Sequence, residues 1–363
     1  MLGRVLQTWG IVGRTFGAWL LPLGSLVAFC VLRTVVFLGR CADRVVHPRL
    51  HRLEVKQPIV VVGNPRSGTT FLHRTLAAYE IGVGTQLYEM LFPSRVLQWF
   101  LGPFLPLLER LSPARHHMGA AHQTSLTSIE TDDAALLMRY LDGFLWFGFF
   151  LAWDVVDHRA TMDPRQRDTS ERDFAWWHSI WQRSLARAGG GRIVAKPFTL
   201  TVRLPRFFEA YPDAKAIYMV RDPLAVIPST LSLLSGPLDL RFGFWNRPPE
   251  VRARWVGHVV DGIIDLYRGF HEDWTEGRLP KERVFICPYT RLVGDFEGVM
   301  TELLEFLGET PDAALVEQIR EQAAEQTRRV SGHKYDLDRF GLDEDWIRAE
   351  CGFVYETFLE TDS

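Results

Sequence analysis

Short apolar runs recur along the chain, and a segment with helical spacing follows each of them. The runs are "PIVVVG" at 58–63, "RIVA" at 192–195, "KAIYMV" at 215–220 and "RVFICP" at 283–288. A continuous apolar run that ends in a turn is typical of a strand buried on both faces of a parallel sheet. The pattern therefore predicts four strands.

The segments between these runs predict helices. Asp222 is expected to cap one of them, with Pro223 at its first position. The predicted helical ranges are 69–79, 204–211, 224–234, 295–307, 312–326 and 343–358. Because strands alternate with helices, we expect an α/β fold, a three-layer sandwich around a central, mainly parallel sheet.

The middle of the chain is rich in aromatic residues and is predicted to be mostly helical. "VLQWFLGPFLPLLERL" at 96–111 is interpreted as core or as the wall of an apolar pocket, and "LDGFLWFGFFLAW" at 141–153 as a buried helix. An amphipathic helix follows, with Trp177, Ile180 and Trp181 on one face.

The N-terminal segment contains 18 residues without a charge, "TFGAWLLPLGSLVAFCVL" at 15–32. A membrane span needs ~20 apolar residues, so the segment is predicted either to span or to form a helical hairpin packed on the protein or on a bilayer surface. We expect a membrane contact through residues 15–38. Residues 1–55 are assigned to this N-terminal segment and residues 56–363 to a catalytic domain.

Composition narrows the function classes. The formal net charge is −3, so the chain as a whole is not a binder of nucleic acid or other polyanions. The four cysteines have neither zinc-site nor disulfide-framework spacing, which argues against a metal. A reducing compartment is therefore expected. Because Arg far outnumbers Lys, a bacterial source is favoured. More Arg follows the apolar segment than precedes it, which would place the residues after this segment on the cytoplasmic side of a membrane. The predicted location is the cytoplasm, or the cytoplasmic face of a membrane.

The stretch "VVVGNPRSGTTFLHRTL" at 60–76 has the frame of a phosphate-binding loop. Its backbone N–H groups and the start of the next helix attract phosphate oxygens. The nucleotide-triphosphatase version carries a lysine after the second glycine, but this chain has Thr69 there. Arg66 lies inside the turn instead, and its planar guanidinium can donate two hydrogen bonds to a compact anion.

A second stretch, "YMVRDPLAVIPSTLSLL", places Arg221 after a strand and Ser229 on the following helix. The pair is suited to a second phosphate, although an ordinary ion pair and an ordinary helix serine remain the alternative. Lys196 also follows a predicted strand. Since ligands of parallel sheets bind beyond the carboxyl ends of the strands, the three cations predict an anion with several charged groups.

Together the two stretches resemble the sulfotransferases that use 3′-phosphoadenosine 5′-phosphosulfate (PAPS). "PRSGTT" at 65–70 resembles the family's 5′-phosphosulfate loop, and "RDPLAVIPS" at 221–229 resembles its 3′-phosphate site. Similarity to the bacterial and carbohydrate-type branch extends over about 58–358. The resemblance implies the P-loop-like sulfotransferase fold, PAPS as donor, adenosine 3′,5′-bisphosphate as product and no metal.

The resemblance also implies roles for individual residues. Arg66, Ser67, Gly68, Thr69 and Thr70 would hold the 5′-phosphosulfate. Arg221 and Ser229 would hold the 3′-phosphate. Lys196 would neutralise the bridging oxygen, but the family pattern is altered after it, because Pro197 follows directly and a downstream histidine is absent.

A general base is needed for the acceptor hydroxyl. Glu89, in "LYEML", resembles the glutamate with this role in related transferases, and a helix-surface glutamate is the alternative. His122 competes, because histidine titrates near working pH. The "ETDD" stretch at 130–133 is expected to cap a helix or line the pocket rim. Near the C-terminus, Lys334 and neighbouring basic residues are candidates for closing over the 3′-phosphate.

The acceptor is a small molecule, a lipid or a glycan with a hydroxyl group. The apolar segments favour a hydrophobic, lipid-like alcohol, and a carbohydrate stays open. Two other hypotheses stay open. One is a P-loop kinase or nucleotide triphosphatase, which the missing lysine disfavours. The other is a non-catalytic nucleotide-binding protein at a membrane.

Overall fold

Four parallel strands form one sheet in the order β2–β1–β3–β4. The computed structural model describes residues 2–111, 125–327 and 336–359. The strands are β1 (Ile59–Gly63), β2 (Val194–Ala195), β3 (Lys215–Val220) and β4 (Val284–Pro288). Each strand falls inside one of the four runs predicted from the sequence, so those predictions are confirmed.

Helices connect the strands and cover both faces of the sheet. The α-helices are α1 (Leu2–Phe16), α2 (Leu21–Val46), α3 (Thr69–Ala78), α4 (Leu87–Leu91), α5 (Arg95–Leu101), α6 (Leu105–Leu111), α7 (Asp133–Tyr140), α8 (Phe144–Trp146), α9 (Ser170–Ala188), α10 (Leu204–Ala210), α11 (Pro223–Phe242), α12 (Pro249–Thr275), α13 (Tyr289–Gly294), α14 (Phe296–Leu307), α15 (Ala313–Thr327), α16 (Glu344–Glu350) and α17 (Gly352–Val354). Short 3-10 helices lie at Leu50–Arg52, Gly102–Phe104, Arg159–Thr161, Phe198–Leu200, Phe244–Asn246, Lys281–Arg283 and Asp338–Phe340, and π-helical turns lie at Phe147–Leu151 and Tyr355–Leu359.

Helix α11 begins where the sequence predicts, because Leu224 N donates to the capping carboxylate of Asp222 at 2.9 Å. It continues to Phe242, past the predicted end, with Pro228 and Pro237 inside it. Helix α12 was not predicted, although it is the longest helix of the described chain. Its apolar face is buried, but charged residues interrupt the pattern on its outer face.

Two apolar clusters fill the two sides of the sheet. One contains the inward faces of α9, α10 and α12, and the other those of α3 and α14. Trp177 and Trp181 of α9 stack with ring centroids 6.3 Å apart, confirming the predicted apolar face of this helix. Burial of such large side chains is the main stabilising contribution to a core of this kind.

The segment at 96–111 does not match the prediction that it is core. Trp99 and Phe100 of α5 are exposed, Trp99 to 81%, so this part is not core. The reason is that α5 uses its other face, around Leu97, to pack on Gly39 of α2. Its aromatic side therefore points outward. The assignment of this segment to the wall of an apolar pocket stays a prediction.

The N-terminal residues form two helices rather than one. Helix α1 is anchored on the rest of the chain, with Ile11 and Val12 buried and the Phe16 ring stacked on that of Phe242 at 4.4 Å. Helix α2 is long and apolar enough to cross a membrane, and only 11% of its apolar window is buried. The split into residues 1–55 and 56–363 stays a prediction.

Candidate functional site

The loop between β1 and α3 is shaped as an anion-binding turn. Arg66 and Gly68 both have left-handed backbone, with φ of 70° and 93°. Ser67 is buried and its hydroxyl donates to the Asn64 carbonyl at 2.6 Å, which fixes the turn. Alternation of left-handed and right-handed residues turns successive N–H groups inward, and α3 starts immediately afterwards at Thr69.

Glycine is required where the loop leaves β1. A Cβ on Gly63 would lie 2.3 Å from the Met219 carbonyl oxygen of β3, and the φ of Gly63 is 125°. Only a residue without a side chain allows the loop to pass this close to the neighbouring strand.

The two candidate phosphate stretches meet at the carboxyl edge of the sheet. Arg66 Nε donates to Ser229 Oγ at 2.8 Å. Arg221 Nη1 donates to the Arg66 carbonyl at 2.9 Å. The sequence prediction assigned these residues to opposite ends of one ligand, and the structure makes them direct neighbours.

Tyr289, which sequence reasoning missed, completes this part of the site. The Arg221 guanidinium carbon lies 4.1 Å from the centroid of its ring. A Cβ on Gly68 would come within 2.7 Å of the same ring. Tyr289 directly follows β4, so the rule that selected Arg66, Lys196 and Arg221 at strand ends could have found it.

Lys196 lies on the other side of the loop. Its Nζ donates to Thr70 Oγ1 at 2.7 Å, at the first turn of α3. Burial lowers the pKa of Lys196 to about 8, and the positive charge of Arg74 adds to this effect, while Glu130 opposes it. A buried group with a pKa shifted in this way is typical of a functional site. Its ammonium form is suited to stabilise negative charge that develops during a reaction.

Two buried carboxylates hold the backbone around Lys196. Asp132 accepts from Lys196 N at 2.7 Å and from Trp181 Nε1 at 2.9 Å. Asp133 accepts from Phe198 N and from Thr199 Oγ1, the latter at 2.5 Å. Burial raises the pKa of Asp132 to about 6. Within residues 2–111, 125–327 and 336–359, these acids do not belong to a cluster of three potential metal ligands.

Glu89 is fully buried at the start of α4. Its Oε2 accepts from Gln86 N at 2.9 Å, which forms a capping box, and lies 3.3 Å from the Ser184 hydroxyl. Its Oε1 accepts from Arg187 Nε at 2.9 Å. Glu89 is thus not a helix-surface residue, and a structural function of its carboxylate is evident. Its predicted function as a base stays a prediction.

Several predicted site residues lie outside the described residues. They are His122, the alternative base, and the C-terminal basic group with Lys334. The described residues therefore form the loop, the Arg221 region and the Lys196 region of the site.

Comparison with known proteins identifies the family and the fold. The sulfotransferase family profile matches residues 58–313. Proteins named omega-hydroxy-beta-dihydromenaquinone-9 sulfotransferase Stf3 from Mycobacterium bovis and Mycobacterium tuberculosis are each 25% identical over 338 residues, covering 89% of this chain and 80% of theirs.

Two solved structures share the fold. Sulfotransferase STF1 from Mycobacterium tuberculosis superimposes with a TM-score of 0.73 at 18% identity, covering 96% of this chain and 90% of its own. Sulfotransferase STF9 from Mycobacterium avium gives 0.66 at 19% identity, covering 88% and 81%. The predicted α/β fold is confirmed. Since the family profile covers most of the chain, from β1 through α14, this protein belongs to the sulfotransferase family.

Proposed function

We propose that this sulfotransferase moves the sulfuryl group of PAPS to a hydroxyl of a hydrophobic, lipid-like acceptor and releases adenosine 3′,5′-bisphosphate. The observation that carries the proposal is the hydrogen-bonded chain from Ser229 through Arg66 to Arg221. These hydrogen bonds place the phosphate loop beside a second cationic group. A nucleotide with phosphates at both its 5′ and 3′ positions needs two such groups within reach of one ligand.

The donor fits the residues at hand. The N–H groups after Arg66 and the start of α3 would hold the 5′-phosphosulfate. Arg221 and Ser229 would hold the 3′-phosphate, and Arg66, which contacts both, would lie between the two anionic ends. Tyr289 keeps the Arg221 guanidinium plane oriented.

The transfer itself needs charge stabilisation more than covalent chemistry. The acceptor oxygen forms a bond to sulfur while the bond from sulfur to the phosphate oxygen breaks. Lys196, held beside Thr70, would neutralise the negative charge that appears on that phosphate oxygen. The acceptor's proton would pass to a base, for which Glu89 is the buried candidate and His122 the alternative.

A hydrophobic acceptor is supported from two sides. The mycobacterial relatives are named for a menaquinone derivative, which is a lipid. In this chain, α2 and α5 present exposed apolar side chains. We propose a cytoplasmic enzyme that works at the membrane surface. A nucleotide kinase is not favoured, because Thr69 stands where a kinase loop carries its lysine.

Incorporation of labelled sulfate from PAPS into a bacterial extract tests the acceptor. We expect the label in the organic-solvent fraction. Label in the water-soluble glycan fraction would replace the lipid by a carbohydrate, and no transfer into either fraction would contradict the enzyme activity with PAPS.

Replacement of Arg221 by Ala tests the donor. The wild type should prefer adenosine 3′,5′-bisphosphate to AMP, which lacks the 3′-phosphate, and Arg221→Ala should lose this preference. Loss of charge-assisted hydrogen bonds of ~3 kcal/mol predicts about 100-fold weaker binding of the bisphosphate in calorimetry, with AMP little affected. Arg320→Ala, at an exposed arginine of α15, is the matched control. An unchanged preference in Arg221→Ala, or tighter binding of magnesium ATP, would refute the donor.

Lys196 predicts a pH dependence. The ammonium form predominates below its pKa of about 8, so kcat/KM should fall as pH rises through that value. Lys196→Arg stays charged and should move the decline to higher pH. Lys196→Met should lower kcat by about 100-fold below pH 8, with a smaller difference from the wild type at higher pH, while still binding the bisphosphate. Lys215→Arg is the control, because Lys215 lies at the amino end of β3, away from the site, and it should leave the pH profile of kcat/KM unchanged. An unshifted decline in Lys196→Arg would argue against Lys196 as the titrating group.

Glu89 and His122 can be separated by matched amide substitutions. Gln at 89 keeps the capping box, so Glu89→Gln should still fold. Its Tm should fall, because Arg187 loses a buried charged partner. If Glu89 is the base, kcat of Glu89→Gln drops by about 100-fold or more, whereas His122→Gln stays active. The reverse result would assign the base to His122, and near-normal kcat in both variants would exclude both residues.

A further inference from the structure

A cavity lies between α2, α7 and α9, lined by none of the residues of the nucleotide loop. Its volume is about 320 Å³. Residues from the C-terminal half of α2 form one wall, and α9 and α7 provide the other. The lining consists of Val36, Phe37, Arg40, Cys41, Arg44, His51, Arg139, Trp176 and Arg183.

Four arginines line this cavity, and their charge is only partly balanced. Arg183 is paired with Asp43 at 3.0 Å. The remaining lone pairs of Asp43 accept hydrogen bonds from Ser94 Oγ and from the backbone N–H groups of Arg95 and Val96. Among the ion pairs of the described residues, none includes Arg40, Arg44 or Arg139. The cavity therefore has an excess of about three positive charges.

Arg40 and Arg139 are held in place rather than extended into solvent. The guanidinium carbons of Arg40 and Arg139 lie 4.7 and 4.8 Å from the centroid of the Trp176 ring. Arg139 Nε is buried and has no hydrogen-bond partner among the described residues. Burial, together with the charges of Arg183, Arg139 and Arg44, lowers the pKa of Arg40 to about 10. Arg40 Nη1 donates to the Pro93 carbonyl at 3.4 Å and to Ser179 Oγ at 3.3 Å, so the unused buried donor belongs to Arg139. Stacked and crowded cations whose charge no carboxylate balances suit an anion.

The surroundings of the cavity are apolar. Exposed side chains of α2 and of the adjoining α5–α6 segment form what we call the apolar surface: Val27, Val31, Val35, Phe37, Leu38, Trp99, Phe100, Phe104 and Leu107. Phe37 belongs to both this surface and the cavity lining, and it is 64% exposed. An anion bound in the cavity can therefore carry a hydrophobic chain that leaves along α2.

We propose that this cavity binds the phosphate headgroup of an anionic membrane phospholipid, while the apolar surface rests among the acyl chains. Arg40 and Arg139, which stack on Trp176, bind the phosphate inside the cavity, and Arg44 contacts it at the rim. A free phosphate ion would use the arginines but not Phe37 or the rest of the apolar surface. Basic cavities beside helices that contact a membrane recognise lipid phosphates.

Vesicle co-sedimentation with the full-length protein tests the proposal without PAPS or acceptor, so it is independent of the proposed reaction. The vesicles contain phosphatidylcholine alone or phosphatidylcholine with phosphatidylglycerol. The pocket variant is Arg40→Gln/Arg139→Gln. Its control is Arg49→Gln/Arg52→Gln, which removes the same charge from exposed arginines that follow α2 in the chain and lie outside the cavity.

We expect the pocket variant to bind phosphatidylglycerol vesicles about 10-fold more weakly than the control variant. The difference should persist at high salt, where general attraction to the surface is screened. Arg44→Gln, at an exposed rim position, should show part of the same loss and guards against misfolding of the double variant. Equal losses in pocket and control variants would show general electrostatic attraction and overturn the proposal.

Two further arms identify the source of the phosphate. Trp99→Ser/Phe100→Ser should weaken binding to both kinds of vesicle, because the apolar surface contacts either. Excess inorganic phosphate should not release the wild type from phosphatidylglycerol vesicles. If inorganic phosphate raises the Tm of the wild type but not of Arg44→Gln, and also displaces the vesicles, the cavity binds free phosphate and the lipid proposal fails.

Discussion

The hydrogen bond from Arg66 to Ser229 joins the two halves of the site, and the geometry around it depends on the backbone of one short loop. Arg66 can reach α11 only because its own backbone is left-handed, and the loop can leave β1 only because residue 63 is glycine. Arg221 then anchors to the carbonyl that this conformation presents. The strain of a non-glycine residue with positive φ, of order 1–3 kcal/mol, is thus associated with the point where two anion-binding elements meet.

A second constraint acts on the opposite side of the loop. Lys196 is a buried cation whose backbone is fixed by Asp132, itself a buried acid with a pKa of about 6. Each charge costs free energy to bury, and hydrogen bonds to Thr70, Trp181 and the backbone offset that cost. These hydrogen bonds fix the position of Lys196, so its ammonium group is oriented before any ligand binds.

Much of this arrangement could be predicted from the sequence. The four apolar runs identified the strands, and the position of Arg66, Lys196 and Arg221 after strand ends placed them at one edge. The sequence could not show that Arg66 contacts Ser229 or that Glu89 is buried against Arg187, because these contacts depend on tertiary packing. It also misjudged Trp99, since apolar composition predicts burial and does not distinguish a core from an apolar surface facing outward.

The C-terminal part of helix α9 contacts both the arginine-lined cavity and the Glu89 carboxylate. Arg183 lines the basic cavity, the adjacent Ser184 lies 3.3 Å from the Glu89 carboxylate, and Arg187 pairs with that carboxylate one turn later. An enzyme held at a bilayer through this cavity would meet a hydrophobic alcohol without the alcohol passing through water. Encounter would become a two-dimensional search, and turnover would follow the mole fraction of the alcohol in the bilayer rather than its bulk concentration.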